Sequence, residues 1–577
     1  MDPINGSLAG KGATKPAYDV VILGGGLAGL TLSLQLKNAN PQISILILEM
    51  RNNQASVAGH KVGESTVELG SHYLREVLNL KGHLEKFQLP KHGLRFFFKS
   101  NHKEDISNRV ELGPRERLPV PSHQIDRGTF ENYLVTLTQE RGTEFILGAR
   151  VKGVELSKTD GHKVTYMYQG AEQSVEARWV ADATSRGSIL KKKLGFQKPM
   201  EHHVNAVWYR LKGVIDIDDW SENKAWRTYL KPKLRYLSTV HFMDKGYWLW
   251  VIPLGSGNTS IGIVADPAVH SFDEINTYEK ALTWMAKHEP LCHKMLEPKT
   301  KDLIDFLYLK HYAHHTGRLY SEDRWGVTGE AGAFLDPFYS PGTDFIAMNN
   351  SWLSDLILRE MSGEDIGVRA NVYEQSHLAL IDNWIPVYQN KYLLMGCTQI
   401  MVIKIFWDWA TYWSVPALLF TNRAFTDLKK LKELFSTADG LGRKFGELNK
   451  RMQDLFLDWA PYDTEVFSNR YIDPFDLHLL REFQQGIDVQ HGPDKLIEKI
   501  GKNMQILEKL AAEIFRHVSS QVKDTALDIQ VDPYTMRLDP ENKMGTSSLE
   551  NKKSIGVDPD ITKDVEVMWF YKKKQYV

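Results

Sequence analysis

Three glycines near the N-terminus have the spacing of a turn that binds the phosphates of a dinucleotide. The apolar run from 18 to 23 predicts a strand, which stops at Gly24, and residues 27 to 36 predict a helix. A strand, a Gly-x-Gly-x-x-Gly turn and a helix in this order bring backbone N–H groups and the positive end of a helix dipole to one point. We therefore predict that a pyrophosphate is bound by Gly24, Gly26, Leu27, Ala28 and Gly29.

A carboxylate suited to the ribose of the same dinucleotide follows in the sequence. A second apolar run, from 43 to 48, ends at Glu49, 20 residues after Gly29, which is near the spacing expected of the acid that binds a ribose hydroxyl. The alternative is a solvated carboxylate at the end of a strand. Because the strand, turn, helix and acid follow one another in the order and near the spacing of a dinucleotide-binding unit, we predict that Glu49 binds the ribose. We also predict that Arg51 belongs to the cofactor site.

The composition indicates a single enzyme-sized body without a nucleic-acid partner. The 577 residues are 42% hydrophobic with a formal charge of −1, so the chain has material for two or three cores and no electrostatic attraction to nucleic acid. Cys292 and Cys397 fit neither a disulfide framework nor a zinc site, which indicates a reducing compartment. Residues 1–16 lack a signal-peptide core, so we expect a mobile arm and a cytoplasmic protein.

Three later segments favour FAD over a nicotinamide cofactor, because they resemble the flavin monooxygenase superfamily. The segment from 124 to 130 resembles the one whose arginine, here Arg127, reaches the flavin, and residues 180 to 187 resemble the superfamily's strand end at Asp182. Residues 325 to 332 resemble the Gly-Asp motif that holds the ribitol chain, with Glu330 in place of the usual aspartate and with Asp336 following. The resemblance implies that FAD contacts Arg127, Asp182, Glu330 and Asp336.

The pattern of elements predicts the fold around this cofactor. Strands and helices alternate to about residue 200, strands dominate from 204 to 266, and helices dominate after 349. We therefore predict an α/β protein with an FAD-binding, Rossmann-like domain of the flavin monooxygenase type, an inserted antiparallel β-sheet for the substrate, and a helical C-terminal region. The predicted boundaries are a mobile arm at 1–16, the FAD-binding domain at 17–200 and 300–365, the substrate sheet at 201–299, the helical region at 366–540, and an exposed linker and tail at 541–577.

Two tryptophans distinguish this chain from a general flavin enzyme. Trp248 and Trp250 alternate along a predicted strand and so share one face, where their indoles would form a rigid wall. Taken alone, they could simply pack a sheet face. The whole run from Trp248 to Pro253 is similar, however, to a signature of the flavin-dependent halogenases, and the resemblance spans roughly residues 18 to 420.

Two further segments carry the same resemblance and suggest a catalytic group. Residues 61 to 65 resemble a flavin-side segment of the phenol and pyrrole halogenases, which implies that Gly63, Glu64 and Ser65 contact the cofactor. Residues 91 to 96 resemble the stretch that holds the family's catalytic lysine, here Lys91, with Lys61 as a less favoured candidate. In the family scheme, reduced FAD, O2 and chloride or bromide give hypohalous acid, which a lysine activates either as an ammonium or as a haloamine.

The loop after Asp336 resembles the family loop that lies against the flavin and binds halide through backbone amides. Pro341 has no N–H, so the halide amides would be those of Gly342 and Thr343. Tyr339 stands where tryptophan halogenases have a glutamate base, and it cannot act as a carboxylate. Since a phenol can lose its own hydroxyl proton, we expect an electron-rich, phenol-like substrate in a chamber lined by Trp248, Trp250, Tyr339 and Ser340.

Alternative functions and partners remain open at this point. A flavin hydroxylase would use the same cofactor, and a flavin reductase acting on a lipid-like molecule is suggested only by the apolar stretch 394–420. Lys404 and Asp408 lie in the middle of that stretch, which favours a buried helix over a membrane span. We find no second glycine fingerprint with an acid at the right spacing, so a separate flavin reductase is expected to supply reduced FAD. The substrate could be free or tethered to a carrier protein, and no metal is expected.

Overall fold

A computed structural model describes residues 13, 15–56, 63–435, 440–538 and 555–571. Its strands are β1 Ala17–Leu23, β2 Ile45–Glu49, β3 Leu89–Lys91, β4 Leu94–Phe97, β5 Val110–Leu112, β6 Ser122–Gln124, β7 Thr143–Leu147, β8 Arg150–Glu155, β9 His162–Tyr168, β10 Ala171–Asp182, β11 Gln197–Lys198, β12 Asn205–Leu211, β13 Thr239–Asp244, β14 Tyr247–Pro253, β15 Thr259–Ala265, β16 Leu303–Leu309, β17 His315–Thr316, β18 Tyr320–Ser321, β19 Trp325–Val327 and β20 Arg470–Ile472.

Helices separate these strands and dominate the C-terminal part of the chain. They are α1 Leu27–Ala39, α2 Glu68–His72, α3 Lys81–Phe87, α4 Arg127–Glu140, α5 Ile189–Leu194, α6 Lys224–Tyr229, α7 Tyr278–His288, α8 Pro290–Leu296, α9 Gly342–Met361, α10 Gly367–Tyr388, α11 Thr398–Tyr412, α12 Leu418–Thr421, α13 Leu428–Phe435, α14 Leu441–Trp459, α15 His478–Gly486, α16 Pro493–Lys523 and α17 Pro559–Met568.

The first of two compact units, unit 1, contains the nucleotide-type sheet and comprises Met1–Gln88, Ile125–Met200 and Ala313–Ala379. Its central strands run in the order β19, β10, β1, β2 and β7, all parallel. Leu23 at the end of β1 pairs with Asp182 on one side and Leu48 on the other. The carboxyl ends of these strands therefore meet at one edge, where open α/β sheets bind their ligands.

The second unit, unit 2, comprises Leu89–Gln124, Glu201–Tyr312 and Leu380–Val577 and is built on a largely antiparallel sheet. The strand order is β16, β12, β15, β14, β13, β4, β5 and β20. Side chains alternate between the two faces of such a sheet. One face forms a hydrophobic core, to which β14 contributes Tyr247, Leu249 and Val251, so the intervening Trp248 and Trp250 belong to the other face.

The predicted fold class is confirmed, and several predicted details differ from the structure. A Rossmann-like sheet, a second, mostly antiparallel sheet and a helical C-terminal region are all present. The segment Leu89–Gln124, which lies inside the predicted FAD-binding range, belongs to unit 2. Within the range 204–266 that was predicted to be rich in strands, β13 starts only at Thr239, because Leu237 N and Ser238 N donate to the carbonyls of Lys233 and Arg235 in a turn.

The prediction of an exposed linker and tail at 541–577 is wrong for part of that range. Asp558 caps α17 by accepting hydrogen bonds from Asp560 N and Ile561 N. Ile561, Val565 and Met568 are buried at i, i+4 and i+7 of this helix and form one apolar stripe. The polar residues between them make this stripe hard to recognise in the sequence. Most of the predicted mobile arm at 1–16 lies outside the described residues.

The predicted buried helix in the apolar stretch is confirmed. Every residue of α11 up to Thr411 is buried, and the Lys404 Nζ donates to Asp408 Oδ2 at 2.5 Å. Gln453 Nε2 donates to the other oxygen of Asp408 at 2.7 Å, so the buried carboxylate is satisfied on both sides. In the part of the chain that the structure describes, no helix has the length and apolarity needed to cross a membrane.

Candidate active site

The glycine turn in unit 1 is shaped by two close backbone approaches. Gly24 has φ +103°, and a Cβ there would lie 2.5 Å from the Ala183 carbonyl oxygen. A Cβ on Gly29 would lie 2.2 Å from the Gly24 carbonyl oxygen. Only glycine fits either position. The turn leads into α1 with Gly26 as the N-cap, so the amides of the first helical turn, at Leu27 and Ala28, point toward the cofactor edge.

Glu49 lies beside this turn at the end of β2, as predicted. Its carboxylate is buried and accepts hydrogen bonds from Gly25 N at 2.8 Å and from Arg51 N at 2.9 Å. The Arg51 guanidinium donates to Glu49 through Nε and to the Gly25 carbonyl through Nη2. These contacts fix the carboxylate at the edge of the turn, where a ribose would lie next to the pyrophosphate.

A second arginine of unit 1 joins two of the predicted flavin segments. Arg127 opens α4 and donates to Glu131 Oε1 at 2.6 Å and to the Gly63 carbonyl at 3.3 Å. The neighbouring Ile125 N donates to the Glu64 carbonyl at 2.7 Å. The segment with Gly63, Glu64 and Ser65 is thus attached to the start of α4, whereas Lys61 lies outside the described residues.

Asp182 is the last residue of β10, and Glu330 lies on the loop that follows β19. Asp182 is fully buried, and burial raises the pKa of its carboxyl group against the lowering effect of its hydrogen bonds. It accepts from Thr184 N, Thr184 Oγ1 and Leu190 N, so it shapes the loop rather than presenting an open acceptor. Glu330 accepts from Ser185 Oγ at 2.5 Å, which links the two loops.

The predicted halide loop ends at the N-terminus of α9. Asp336 is buried and accepts from Phe338 N at 2.8 Å. Tyr339 and Ser340 follow with φ +72° and +61°, a left-handed conformation that costs energy in residues other than glycine. Pro341 is the N-cap, so α9 starts with the amides of Gly342 and Thr343, which have no carbonyl partner within the helix.

Lys91 is the last residue of β3 in unit 2, where it pairs with Ser122 of β6. It is only 3% exposed, which is unusual for a lysine because desolvating an ammonium is costly. The positive charge of Lys91 contributes to the lowered pKa of His241, after the larger effect of burial. Lys91 is thus a buried group within electrostatic reach of an imidazole on β13.

The second face of the unit 2 sheet presents an aromatic row at this imidazole. His241 pairs with Trp250 on one side and with Phe96 on the other, and its ring stacks on Phe96 with centroids 4.7 Å apart. Trp248 and Trp250 lie side by side, with centroids 5.5 Å apart. Their N–H groups are satisfied by Tyr392 Oη and Ser260 Oγ. The predicted sharing of one face by the two tryptophans is therefore confirmed.

The N-terminal part of the chain matches a family model. Residues 17–264 match the model described as an FAD binding domain. Flavin-dependent halogenase chlA of Dictyostelium discoideum is 26% identical over 498 residues, which cover 77% of this chain and 80% of the relative. The chain is thus similar to the flavin-dependent halogenases over most of its length. It is accordingly an FAD-dependent enzyme with flavin halogenase activity.

Other relatives and solved structures agree with this assignment. The 1H-pyrrole-2-carbonyl-[peptidyl-carrier protein] chlorinase of Pseudomonas fluorescens is 24% identical over 352 residues, covering 58% of the halogenase described here and 74% of the relative. The crystal structure of halogenase PltM in complex with phloroglucinol and FAD has the same fold, with a TM-score of 0.60 at 17% identity over 85% of this chain and 96% of PltM.

The residues at the sheet edge of unit 1 fit an FAD cofactor. At Gly24 and Gly29 the backbone of neighbouring residues comes so close that no side chain would fit. The start of α1 offers amides for phosphate, and Glu49 is held beside the turn by Gly25 N. The halogenase thus has a backbone cradle and an acid of the kind that a dinucleotide requires. Arg51 lies within 3.9 Å of Glu131 Oε2 as well, which keeps its positive charge close to the cradle.

Several residues of the unit 2 site were not identified from the sequence. His241 and Phe96 join the tryptophans through strand pairing, and Tyr392 joins them through a hydrogen bond. The alternation of residues 239, 241 and 243 along β13 is a signal that could have identified His241. Of the four predicted chamber residues, Trp248 and Trp250 belong to unit 2, and Tyr339 and Ser340 belong to unit 1.

A buried charge network supports the strand that follows Lys91. Arg95 on β4 donates to Glu111 at 2.6 Å, and Arg235 donates to the same carboxylate at 2.9 Å. Arg235 also reaches Asp218 at 2.8 Å, so two buried guanidinium groups face two carboxylates. Breaking one partner of such a network leaves a buried charge unpaired, so a substitution at any of these four side chains should destabilise this part of unit 2.

Proposed function

We propose that the halogenase uses O2 and chloride or bromide to form hypohalous acid, which Lys91 activates for electrophilic halogenation of a phenol-like aromatic ring. The observation that carries this proposal is a nearly fully buried lysine near an aromatic row. A lysine without a function would normally keep its ammonium in water. Lys91 is instead buried within electrostatic reach of His241, whose ring stacks on Phe96, and we propose that its amine serves the chemistry at this aromatic face.

The cofactor residues of the proposal are those of unit 1. Gly24, Gly26, Leu27, Ala28 and Gly29 would hold the pyrophosphate and Glu49 the ribose, while Arg127, Glu330 and Asp336 lie on the flavin segments. Reduced FAD, when bound, supplies the two electrons for the reaction with O2. The halide would be held by the amides of Gly342 and Thr343 at the start of α9, where the helix dipole favours an anion.

Lys91 acts on the oxidant through its N–H groups or its nitrogen lone pair. As an ammonium it would donate a hydrogen bond to the oxygen of hypohalous acid, which weakens the oxygen–halogen bond and makes the halogen more electrophilic. As a neutral amine it would carry the halogen itself. In both cases the overall change is the same: the halogen replaces a ring hydrogen, and the oxygen leaves as water.

A phenol-like substrate is supported by the residue types available. Tyr339 stands where a carboxylate base would be needed for an unactivated ring, whereas a phenol activates its own ring by releasing its hydroxyl proton. A structural neighbour was solved with phloroglucinol, which is a phenol. Among the sequence relatives, the pyrrole enzymes act on a carrier-bound substrate, so a tethered phenol is the second form to test.

The test is a competition assay on the purified protein. Chemically reduced FAD, O2, equal concentrations of chloride and bromide, and a panel of free phenols, pyrroles and indoles are supplied together, and products are identified by isotope pattern. We expect halogenated phenols and unchanged indoles. Hydroxylated products that form without halide would support a flavin hydroxylase instead, and failure to consume O2 would support a flavin reductase.

The supply of reduced FAD is tested separately. We propose that a separate flavin reductase provides it, because the sequence contains no second glycine fingerprint followed by a suitably spaced acid. The purified chain should oxidise NADPH only when a reductase is added. Oxidation of NADPH at catalytic rates by the chain alone would refute this part of the proposal.

A further inference from the structure

Two loops of unit 1 lie against the glycine turn and the helix start that would hold the pyrophosphate. A Cβ at Gly24 would lie 2.5 Å from the Ala183 carbonyl oxygen and 3.2 Å from Thr184 Cα. Gly329 has φ +61°, and a Cβ there would lie 2.8 Å from the Ala28 Cβ. The loop after β10 and the loop after β19 therefore both begin beside the cofactor cradle.

Three side chains that follow β10 at intervals of three residues contact three consecutive residues of the loop after β19. The contacts are Ser185 Oγ to Glu330 Oε2 at 2.5 Å, Ser188 Oγ to the Ala331 carbonyl oxygen at 3.2 Å, and Lys191 Nζ to the Gly332 carbonyl oxygen at 2.8 Å. Because the contacts follow the same order in both segments, the two segments run side by side. We call residues 185, 188 and 191 the brace.

The start of the brace is fixed at the end of β10. Asp182 accepts hydrogen bonds from Thr184 N at 3.0 Å and from Leu190 N at 2.7 Å, so its carboxylate holds the segment at two points. Ser185 and Ser188 have φ +53° and +44°, a left-handed conformation that is unfavourable for residues other than glycine. Such a conformation persists where the surrounding contacts enforce it, and it is found most often at ligand sites.

The Glu330 carboxylate has one oxygen engaged and one available. Among the residues that the structure describes, Ser185 Oγ is the only hydrogen-bond donor to this carboxylate, and no lysine, arginine or histidine pairs with it. Oε1 therefore keeps its lone pairs for a ligand. Glutamate has one more rotatable bond than the aspartate usual in the motif that this segment resembles, so it loses more conformational entropy on binding a hydroxyl group. The hydrogen bond from Ser185 removes part of that freedom beforehand.

We propose that Ser185 is a positioning residue that orients the Glu330 carboxylate toward the ribityl hydroxyl groups of FAD, while Ser188 and Lys191 hold the backbone of the next two residues. This inference rests on the proposed contact between Glu330 and FAD. It goes further, because it assigns the group that lets a glutamate serve where an aspartate is usual. Ser185 acts through the carboxylate and not on the reacting atoms.

The first test compares two replacements of Ser185 by titrating the apoprotein with FAD and following flavin fluorescence. We expect Ser185→Ala to raise the Kd for FAD by roughly 5- to 20-fold, because the carboxylate loses its hydrogen-bonded orientation. Ser185→Gly also removes the hydroxyl group but favours the observed φ of +53°, so it should raise the Kd by a similar factor. Wild-type affinity in Ser185→Gly would assign the effect to the backbone and would overturn the inference.

A double-variant cycle tests whether Ser185 acts through Glu330. In the Glu330→Ala background there is no carboxylate to orient, so Ser185→Ala should change the Kd by less than about twofold. An equal loss in both backgrounds would overturn the inference, while weaker FAD binding by Glu330→Ala alone would still support the proposed contact. If Glu330→Ala binds FAD as tightly as the wild type, the proposed contact fails and the inference fails with it.

Aspartate at position 330 provides a second background that keeps the negative charge. Glu330→Asp withdraws the carboxylate by one methylene group, roughly 1.5 Å along the side chain, which takes it out of hydrogen-bond distance of Ser185 Oγ. Ser185→Ala should then have little further effect on the Kd. A loss as large as in the wild-type background would contradict the positioning role.

Ser351→Ala is the matched control, because it removes a serine hydroxyl group from the same unit. Ser351 Oγ donates to the Ala347 carbonyl at 2.7 Å within α9. This variant should keep the Kd for FAD within about twofold of the wild-type value and show no coupling to Glu330→Ala. Urea denaturation of each apoprotein identifies conditions in which every variant is folded, and the affinities are compared there.

Discussion

The absence of a side chain at Gly262 allows Trp250 to lie flat across β15. The two residues are paired in the sheet, and a Cβ at position 262 would lie 2.2 Å from Trp250 Cζ2. The structure therefore predicts that replacements at these two positions are strongly coupled. The prediction tests whether Trp250 is packed against the strand as part of a rigid wall.

The size of the coupling follows from the two single changes. Trp250→Ala should cost about 3–5 kcal/mol of stability, as large buried aromatics do. Gly262→Ala should cost about 1–3 kcal/mol, because the new methyl group overpacks the indole. In the double variant the methyl group enters the vacated space, so the second cost should largely disappear, giving a coupling energy of about 1–3 kcal/mol.

Urea denaturation of the four proteins, followed by far-UV circular dichroism, measures this coupling. Gly446→Ala is the matched control, since its Cβ would lie 2.3 Å from Asn383 Oδ1 in the helical region. Its cost should add to that of Trp250→Ala. If the Gly262 and Trp250 changes were also additive to within about 0.5 kcal/mol, the packing argument would be refuted.

Two further predictions concern unit 1. Glu49→Gln should weaken FAD binding by roughly 10- to 100-fold, because the loss of a hydrogen bond to a charged group costs about 1.5–3 kcal/mol. Titration of the apoprotein, followed by flavin fluorescence, measures the FAD affinity. An unchanged affinity would show that Glu49 does not bind the ribose. Lys191 Nζ donates to the Gly332 carbonyl at 2.8 Å, and burial lowers its pKa from 10.5 to about 8. The unfolded chain therefore keeps this proton to higher pH than the folded one, so stability should rise between pH 8 and 10.5 relative to Lys191→Met by up to about 3 kcal/mol. A constant difference across this window in urea denaturation would contradict the burial effect.

The cofactor cradle could be predicted from the sequence because its signals are local. Gly29 is required by the Gly24 carbonyl five residues before it and Gly24 by its positive φ, and Glu49 follows at the spacing that the fold imposes. The contacts between the later flavin segments could not be predicted in this way. Ser185 and Glu330 meet across 145 positions, and only the folded sheet brings their loops together.

The site in unit 2 was harder to predict for a related reason. Trp248 and Trp250 follow the simple alternation of a strand, so their common face could be predicted. His241 is surrounded in the sequence by apolar residues and looks like part of a core strand. Its place between Phe96 and Trp250 depends on the pairing of β13 with both β4 and β14, and such long-range pairing is not visible in the sequence alone.

The central claim is that the amine of Lys91 activates the halogenating species. The most direct measurement compares the product yield of Lys91→Met with that of Lys103→Met, which removes a lysine held by Asp244 and the His288 carbonyl. We predict that Lys91→Met lowers the yield by about 100-fold or more, with FAD affinity and O2 consumption retained, while Lys103→Met keeps its yield. Halogenated product from Lys91→Met at the wild-type level would contradict the account.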